Sequence, residues 1–174
     1  MQQTKLTGII INRRSVKDAD RFLSILTADE GKISVYAHAV RSIKSKRMSS
    51  LDLFNVIRFE TVGDIGHKTL THVELVTGFR EGKRKLSDIT RLFVIGELVD
   101  SLLEENDPTP EVYELLETAL GNIHRFDTPE YLLRFKKKLL RLLGYWDTAL
   151  ADQEVDDYIE SLNKSRYIWH SRRE

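Results

Sequence analysis

Up to Phe79 the apolar positions come in short runs, several of them alternating with polar ones, and after Gly82 they recur every three or four residues. The stretch "TGIIINRRSV" is rich in Ile and Val, and "DRFLSILTADEGKISVYAHAV" holds two apolar runs split by Asp29-Glu30-Gly31. Gly31 is free to take the positive φ that such a turn requires. In "KISVYAHAV", Ile33, Val35, Ala37 and Ala39 share one face, the alternation of a half-buried strand. "DLFNVIRFETV" and "TLTHVELVTGF" repeat the pattern on either side of "GDIGHK". Five short strands in about 80 residues suit a closed barrel better than a sheet with long open edges. The expectation is a five-stranded Greek-key barrel of the OB type.

Beyond Gly82 the spacing of Leu86, Ile89, Leu92, Phe93, Gly96, Val99, Leu102 and Leu103 predicts an amphipathic helix, with the Ser87 hydroxyl able to cap its first turn. "TPEVYELLETALGNI" and "TPEYLLRFKKKLLRLLG" open alike. Thr109 and Thr128 fall at the N-cap, Pro110 and Pro129 at the first helical position, and Glu111 and Glu130 near the positive end of the dipole. Gly144 supplies the left-handed residue that ends the third helix. A shorter helix is expected at "QEVDDYIESLNK", followed by a loosely held tail, "SRYIWHSRRE". The fold class read from this pattern is α+β: an OB-type barrel over residues 1–80 and an α-helical domain over 81–174.

Composition narrows the chemistry. With 174 residues, 41% apolar and 31% charged, the chain can bury a real core. It has no cysteine, which excludes disulfides, thiolate metal sites and cysteine nucleophiles together. No apolar run approaches the roughly 20 residues of a membrane span, and the start lacks the features of a secretory signal. A soluble, cytoplasmic protein with no membrane partner is expected. The balance of 27 basic and 27 acidic residues hides an asymmetry. Residues 1–80 carry 13 Lys/Arg against 8 Asp/Glu, and residues 81–174 carry 14 against 19. A basic front and an acidic back suggest two modules with different partners.

Catalytic and metal motifs are missing. His38, His67, His72, His124 and His170 are scattered over different predicted elements, so neither a metal nor another cofactor is expected. The carboxylates Asp152, Glu154, Asp156 and Asp157 resemble a Mg²⁺ cluster only in number, since a helix places them mainly on its solvated face. "GDIGH" lacks a phosphate-loop lysine, and no nucleophile pattern is present. A non-enzyme is expected, with a carboxylate-dependent nuclease as a rival.

Cations are more suggestive. Arg13, Arg14, Lys17 and Arg21 surround the first turn, and Lys32 opens the third strand. "VRSIKSKRMSS" adds Arg41, Lys44, Lys46 and Arg47 without a carboxylate. A barrel can gather such groups into one stripe that neutralises a nucleic-acid backbone and releases its counterions. Among Phe22, Tyr36, Phe54 and Phe59, most are expected in the core. Tyr36 is the candidate for stacking on a base, because its phase opposes Ile33 and Val35.

The order of these segments resembles the DNA repair protein RecO family. The matching residues are Thr27, Gly31 and Lys32, then Arg41, Lys44 and Ser45 of the basic segment, then Leu53-Phe54. "VELVTGFR", "VIGELVDSLLEENDPTPEVYELLETAL" and "LRFKKKLLRLLGYWDTAL" continue the likeness from about Leu6 to Leu150. Two departures stand out. Ala39-Val40 replaces a glycine before the basic segment, and "ADQEVDDYIES" stands where many relatives carry a four-cysteine zinc module. The resemblance implies a recombination mediator that binds single- and double-stranded DNA and anneals complementary strands in the bacterial nucleoid. It further implies partnership with a single-stranded-DNA-binding protein and with RecR. Arg134, Lys138 and Arg141 are then candidates for holding that partner's acidic tail, although the same pattern suits an ordinary solvated helix face. The alternative is a helical protein-interaction adaptor whose barrel is only structural.

Overall fold

The computed structural model describes residues 3–16, 20–38, 49–64, 66–146 and 150–171. Among the described residues five strands, β1 (Gln3–Ser15), β2 (Arg21–Thr27), β3 (Gly31–Ala37), β4 (Val56–Val62) and β5 (Lys68–Thr77), are followed by four α-helices. These are α1 (Leu86–Leu102), α2 (Pro110–Asn122), α3 (Pro129–Leu142) and α4 (Val155–Ser171). The strands close in the order β1-β2-β3-β5-β4, with β4 pairing back onto β1. Of these strand pairs, β3–β5 is parallel and the rest are antiparallel. This is the expected OB-type order, and closure leaves few unpaired strand edges.

The run of three isoleucines in β1 has a direct cause. Ile10 points into the barrel, where it packs with Leu23, Ile25, Ile33, Val35, Ile57 and Phe59. Ile9 and Ile11 point outward, into a second apolar layer shared with the helices. A strand buried on both faces is apolar at consecutive positions rather than alternate ones. The β1–β2 register slips at Ile11, between Ile10 and Asn12. Such a bulge turns two successive residues toward one side. Ile11 and Asn12 therefore both face α1, and Asn12 donates to the Asp100 carboxylate at 2.7 Å.

The outer layer is continuous from Ile9, Leu26, Phe54 and Val56 on the barrel to Leu92, Ile95 and Val99 of α1. It continues through Leu116, Leu120, Phe135, Leu139, Val155 and Ile159. Gly96 permits the close approach of α1. A Cβ there would lie 2.6 Å from the Phe54 ring and 3.3 Å from the Ile11 carbonyl oxygen.

Helix termini follow the expected spacing but not the expected bonds. Thr109 and Thr128 occupy the N-caps with proline next, yet neither hydroxyl bonds the helix backbone. Thr109 Oγ1 is buried without a partner, and Thr128 bonds Glu130 instead. α1 begins at Leu86 with Lys85 as its cap, so Ser87 lies inside the helix rather than capping it. α4 runs through to Ser171, well past the expected end and into the supposed tail.

Candidate nucleic-acid interface

The end of β1, the start of β2 and the end of β3 meet side by side. Arg14 stands opposite Phe22, and Phe22 opposite Tyr36. Ser15, Arg21 and Ala37 form the next row. Directly opposed residues share a face, so Arg14, Phe22 and Tyr36 line one outer surface. Phe22 is 38% exposed, an unusual state for a phenylalanine in a barrel strand. Its ring meets Tyr36 edge-on at 5.0 Å, and Tyr36 stacks on His38 at 6.2 Å.

Asp20 organises this row. The Tyr36 hydroxyl donates to one of its carboxylate oxygens, and His38 Nδ1 lies 3.0 Å from the other. The hydrogen bond to Asp20, with burial and the carboxylate's charge adding to it, raises the Tyr36 phenol above its ordinary value. Tyr36 therefore keeps its proton at neutral pH and presents a neutral aromatic surface.

The candidate cations divide. Arg14 and Arg21 make no ion pair among the described residues. Arg13 bonds Asp52 at 2.8 Å but remains partly exposed. Lys32 stands apart. Its ammonium donates to the Asp100 carbonyl oxygen at 2.5 Å and lies 3.6 Å from that residue's carboxylate, with its side chain only 12% exposed. It joins β3 to α1 rather than facing solvent. Lys17, Arg41, Lys44, Lys46 and Arg47 lie outside the described residues. Val16, Asp20 and His38 stand at this end of the barrel, where the Val16 N–H donates to the Asp20 carbonyl, whereas the Ser49 carbonyl accepts from the Asn55 side chain.

Of the four strand-region aromatics, Phe54 and Phe59 are core and Phe22 and Tyr36 are not. The sequence reading missed Phe22, although its phase opposes the buried Leu23 and Ile25 just as Tyr36 opposes Val35.

A second feature lies among the helices. Leu115, Ala119, Phe126, Tyr131 and Phe135 line an open pocket of about 230 Å³ with Arg134 and Lys138 at its rim. Phe126 and Tyr131 stack at 5.4 Å, and the Tyr131 hydroxyl donates to the Ala119 carbonyl. Arg141 is elsewhere, over the Trp146 ring at 5.1 Å. Three of the four carboxylates considered for metal binding are otherwise engaged: Asp152 with Lys137, Asp156 with Lys136, and Glu154 with the Ala151 N–H.

Residues 1–79 match the family model described as Recombination protein O N terminal, and residues 81–146 match Recombination protein O C terminal. A DNA repair protein RecO from Symbiobacterium thermophilum is 35% identical over 146 residues, covering 83% of this chain and 58% of the relative. One from Listeria monocytogenes is 30% identical over 171 residues, covering 95% of this chain and 67% of the relative. The chain belongs to the RecO family. This RecO-family chain spans about three fifths to two thirds of the length of those relatives. Among the described residues no helix is long and apolar enough to cross a membrane.

Proposed function

We propose that this chain binds single- and double-stranded DNA and anneals complementary strands as a mediator of recombinational DNA repair. It performs no covalent chemistry in this role and works in the bacterial cytoplasm, on the nucleoid. The observation that carries the reading is the barrel end where Arg14, free of ion pairs among the described residues, stands in the Phe22–Tyr36 row and Arg21 in the row next to it. Arginines supply phosphate contacts and the aromatic row supplies a stacking surface, the combination that single-strand binders use. Family membership supports the same role.

The partners are a single-stranded-DNA-binding protein and RecR. The helical pocket suits an acidic tail that ends in an aromatic residue: Arg134 and Lys138 meet the carboxylates, and the apolar walls take the ring. That pocket is also what a helical adaptor with a merely structural barrel would need.

Titrating labelled single strands and duplexes at several salt concentrations separates the two. The mediator reading expects binding to both forms, with log affinity falling linearly against log salt, and faster annealing of complementary oligonucleotides. No measurable binding at low salt would leave the adaptor reading in its place.

A further inference from the structure

A cleft of about 220 Å³ opens where the barrel meets α1. Arg13 comes to it from β1, Asp52 to Phe54 from the segment before β4, Lys83 from the turn before α1, and Phe93 from α1 itself. Phe93 is 53% exposed although it sits on the helix that packs most closely on the barrel. Its ring meets Phe54 nearly perpendicularly at 5.9 Å.

The surrounding groups are fixed. The Asn55 side chain is buried and uses its amide nitrogen on the carbonyls of Ser49 and Ser50, at 2.8 and 3.1 Å. Its amide oxygen accepts from Lys83 at 2.7 Å, which holds the ammonium in the cleft. Burial lowers the Lys83 pKa, while Asp52 opposes that shift and Arg13 adds to it. Phe54 has φ of 64°, a conformation a bulky side chain rarely adopts. The Phe54 N–H bonds Ile10 O at 2.8 Å, and the Ile10 N–H bonds Asn55 O at 3.1 Å. Strained backbone held by its surroundings tends to collect at functional sites.

Two cations and one carboxylate give the rim a net positive charge over aromatic walls. Arg13 directly precedes Arg14 on β1, so the cleft and the aromatic row draw on the same strand end. A flat ring carried on an anionic backbone matches this combination. We propose that the cleft takes one unpaired nucleobase of a bound single strand, laid against Phe93, with Lys83 and Arg13 holding the flanking phosphates. The proposal rests on the DNA-binding reading above and adds a strand preference to it. A base can enter only when it is unpaired, so the cleft strengthens single-strand binding and leaves duplex binding alone.

The full chain and its Phe93→Ala and Phe93→Tyr variants are titrated by anisotropy with a labelled oligothymidine, the same strand carrying abasic sites, and a duplex. Phe93→Ala should weaken single-strand binding by about 5- to 150-fold, the span of one lost base–aromatic stack. Duplex affinity and the salt slope should hold, since no charge is removed, and Phe93→Tyr should restore binding. Abasic sites should weaken the wild-type chain and leave Phe93→Ala nearly indifferent. Equal losses on single strand and duplex, or no loss on either, would overturn the nucleobase site while leaving DNA binding intact. Loss of an acidic, Phe-ended peptide with unchanged single-strand affinity would reassign the cleft to a protein partner. A wild-type chain that binds no DNA would remove both proposals.

Discussion

Lys32 and Arg14 are both cations of the barrel strands, and their surroundings predict opposite consequences of removal. In Lys32→Met the stem is kept and the ammonium lost. That ammonium makes a charge-assisted hydrogen bond to the Asp100 carbonyl oxygen at 2.5 Å and sits 3.6 Å from the carboxylate. Hydrogen bonds to charged groups contribute about 1.5–3 kcal/mol. Breaking a sealed ion pair would cost about 3–5 kcal/mol, but Asp100 is 23% exposed and retains its bond from Asn12. The expected loss is therefore about 1–2 kcal/mol, or roughly 2–8 °C in Tm for a chain of this size. The salt dependence of DNA affinity should not change, because Lys32 neutralises no phosphate. Arg14→Ala should do the reverse: less than about 0.5 kcal/mol in stability, with the slope flattened by about 0.7 on single strands and about 0.9 on duplex. Urea denaturation and anisotropy titrations measure both quantities on the same preparations. A Lys32→Met protein with wild-type stability and a flattened slope would refute the division.

Gly96→Ala gains about 1 kcal/mol of helix propensity, but its Cβ meets the Phe54 ring at 2.6 Å, and overpacking costs about 1–3 kcal/mol. The net effect should be neutral to destabilising, largely relieved when Phe54→Leu is added; a Gly96→Ala protein stabilised by the full helix gain would contradict the close packing. Replacing Lys44, Lys46 and Arg47 with Ala should remove roughly two to three contacts' worth of salt slope without unfolding, as read by the same titrations. An acidic peptide ending in Phe should bind more weakly to Arg134→Glu than to Arg141→Glu, because only Arg134 stands at the pocket; calorimetry distinguishes the two. Burial pushes the Tyr113 phenol up to about 12. The native state then keeps a proton that the unfolded chain releases near pH 10, so this stabilisation is complete below about pH 10 and lost as pH rises toward 12. Tyr113→Phe should flatten that part of the stability profile.

Much of the architecture was legible because periodicity reports which faces are buried. Strand alternation in β3 and the three- and four-residue spacing of α1 and α3 carried their elements directly. The three isoleucines of β1 carried a strand but not its cause, since burial on two faces depends on a helix about eighty residues later. The same distance hid the fate of the cations. Arg13 meets an aspartate 39 positions away and Lys32 one 68 positions away, so their charge was visible and their pairing was not. Thr109 and Thr128 show a further limit: composition locates an N-cap, while the hydroxyl's partner depends on a rotamer. Phe22 was within reach, for strand phase alone separates it from Leu23 and Ile25.

The apolar layer that β1 shares with α1 has a bearing on how the chain folds. During synthesis the barrel strands emerge first, with Ile9, Ile11 and Leu26 still lacking the helix that covers them. Until α1 arrives, the nascent barrel carries an uncovered apolar face, the kind of surface that recruits chaperones or other nascent chains. The first strand must wait for residues past position 90 before its outer side is sealed, a long-range contact that slows the final step. A fragment cut at the junction near residue 80 should thus aggregate more readily than the whole chain, even if all five strands pair correctly.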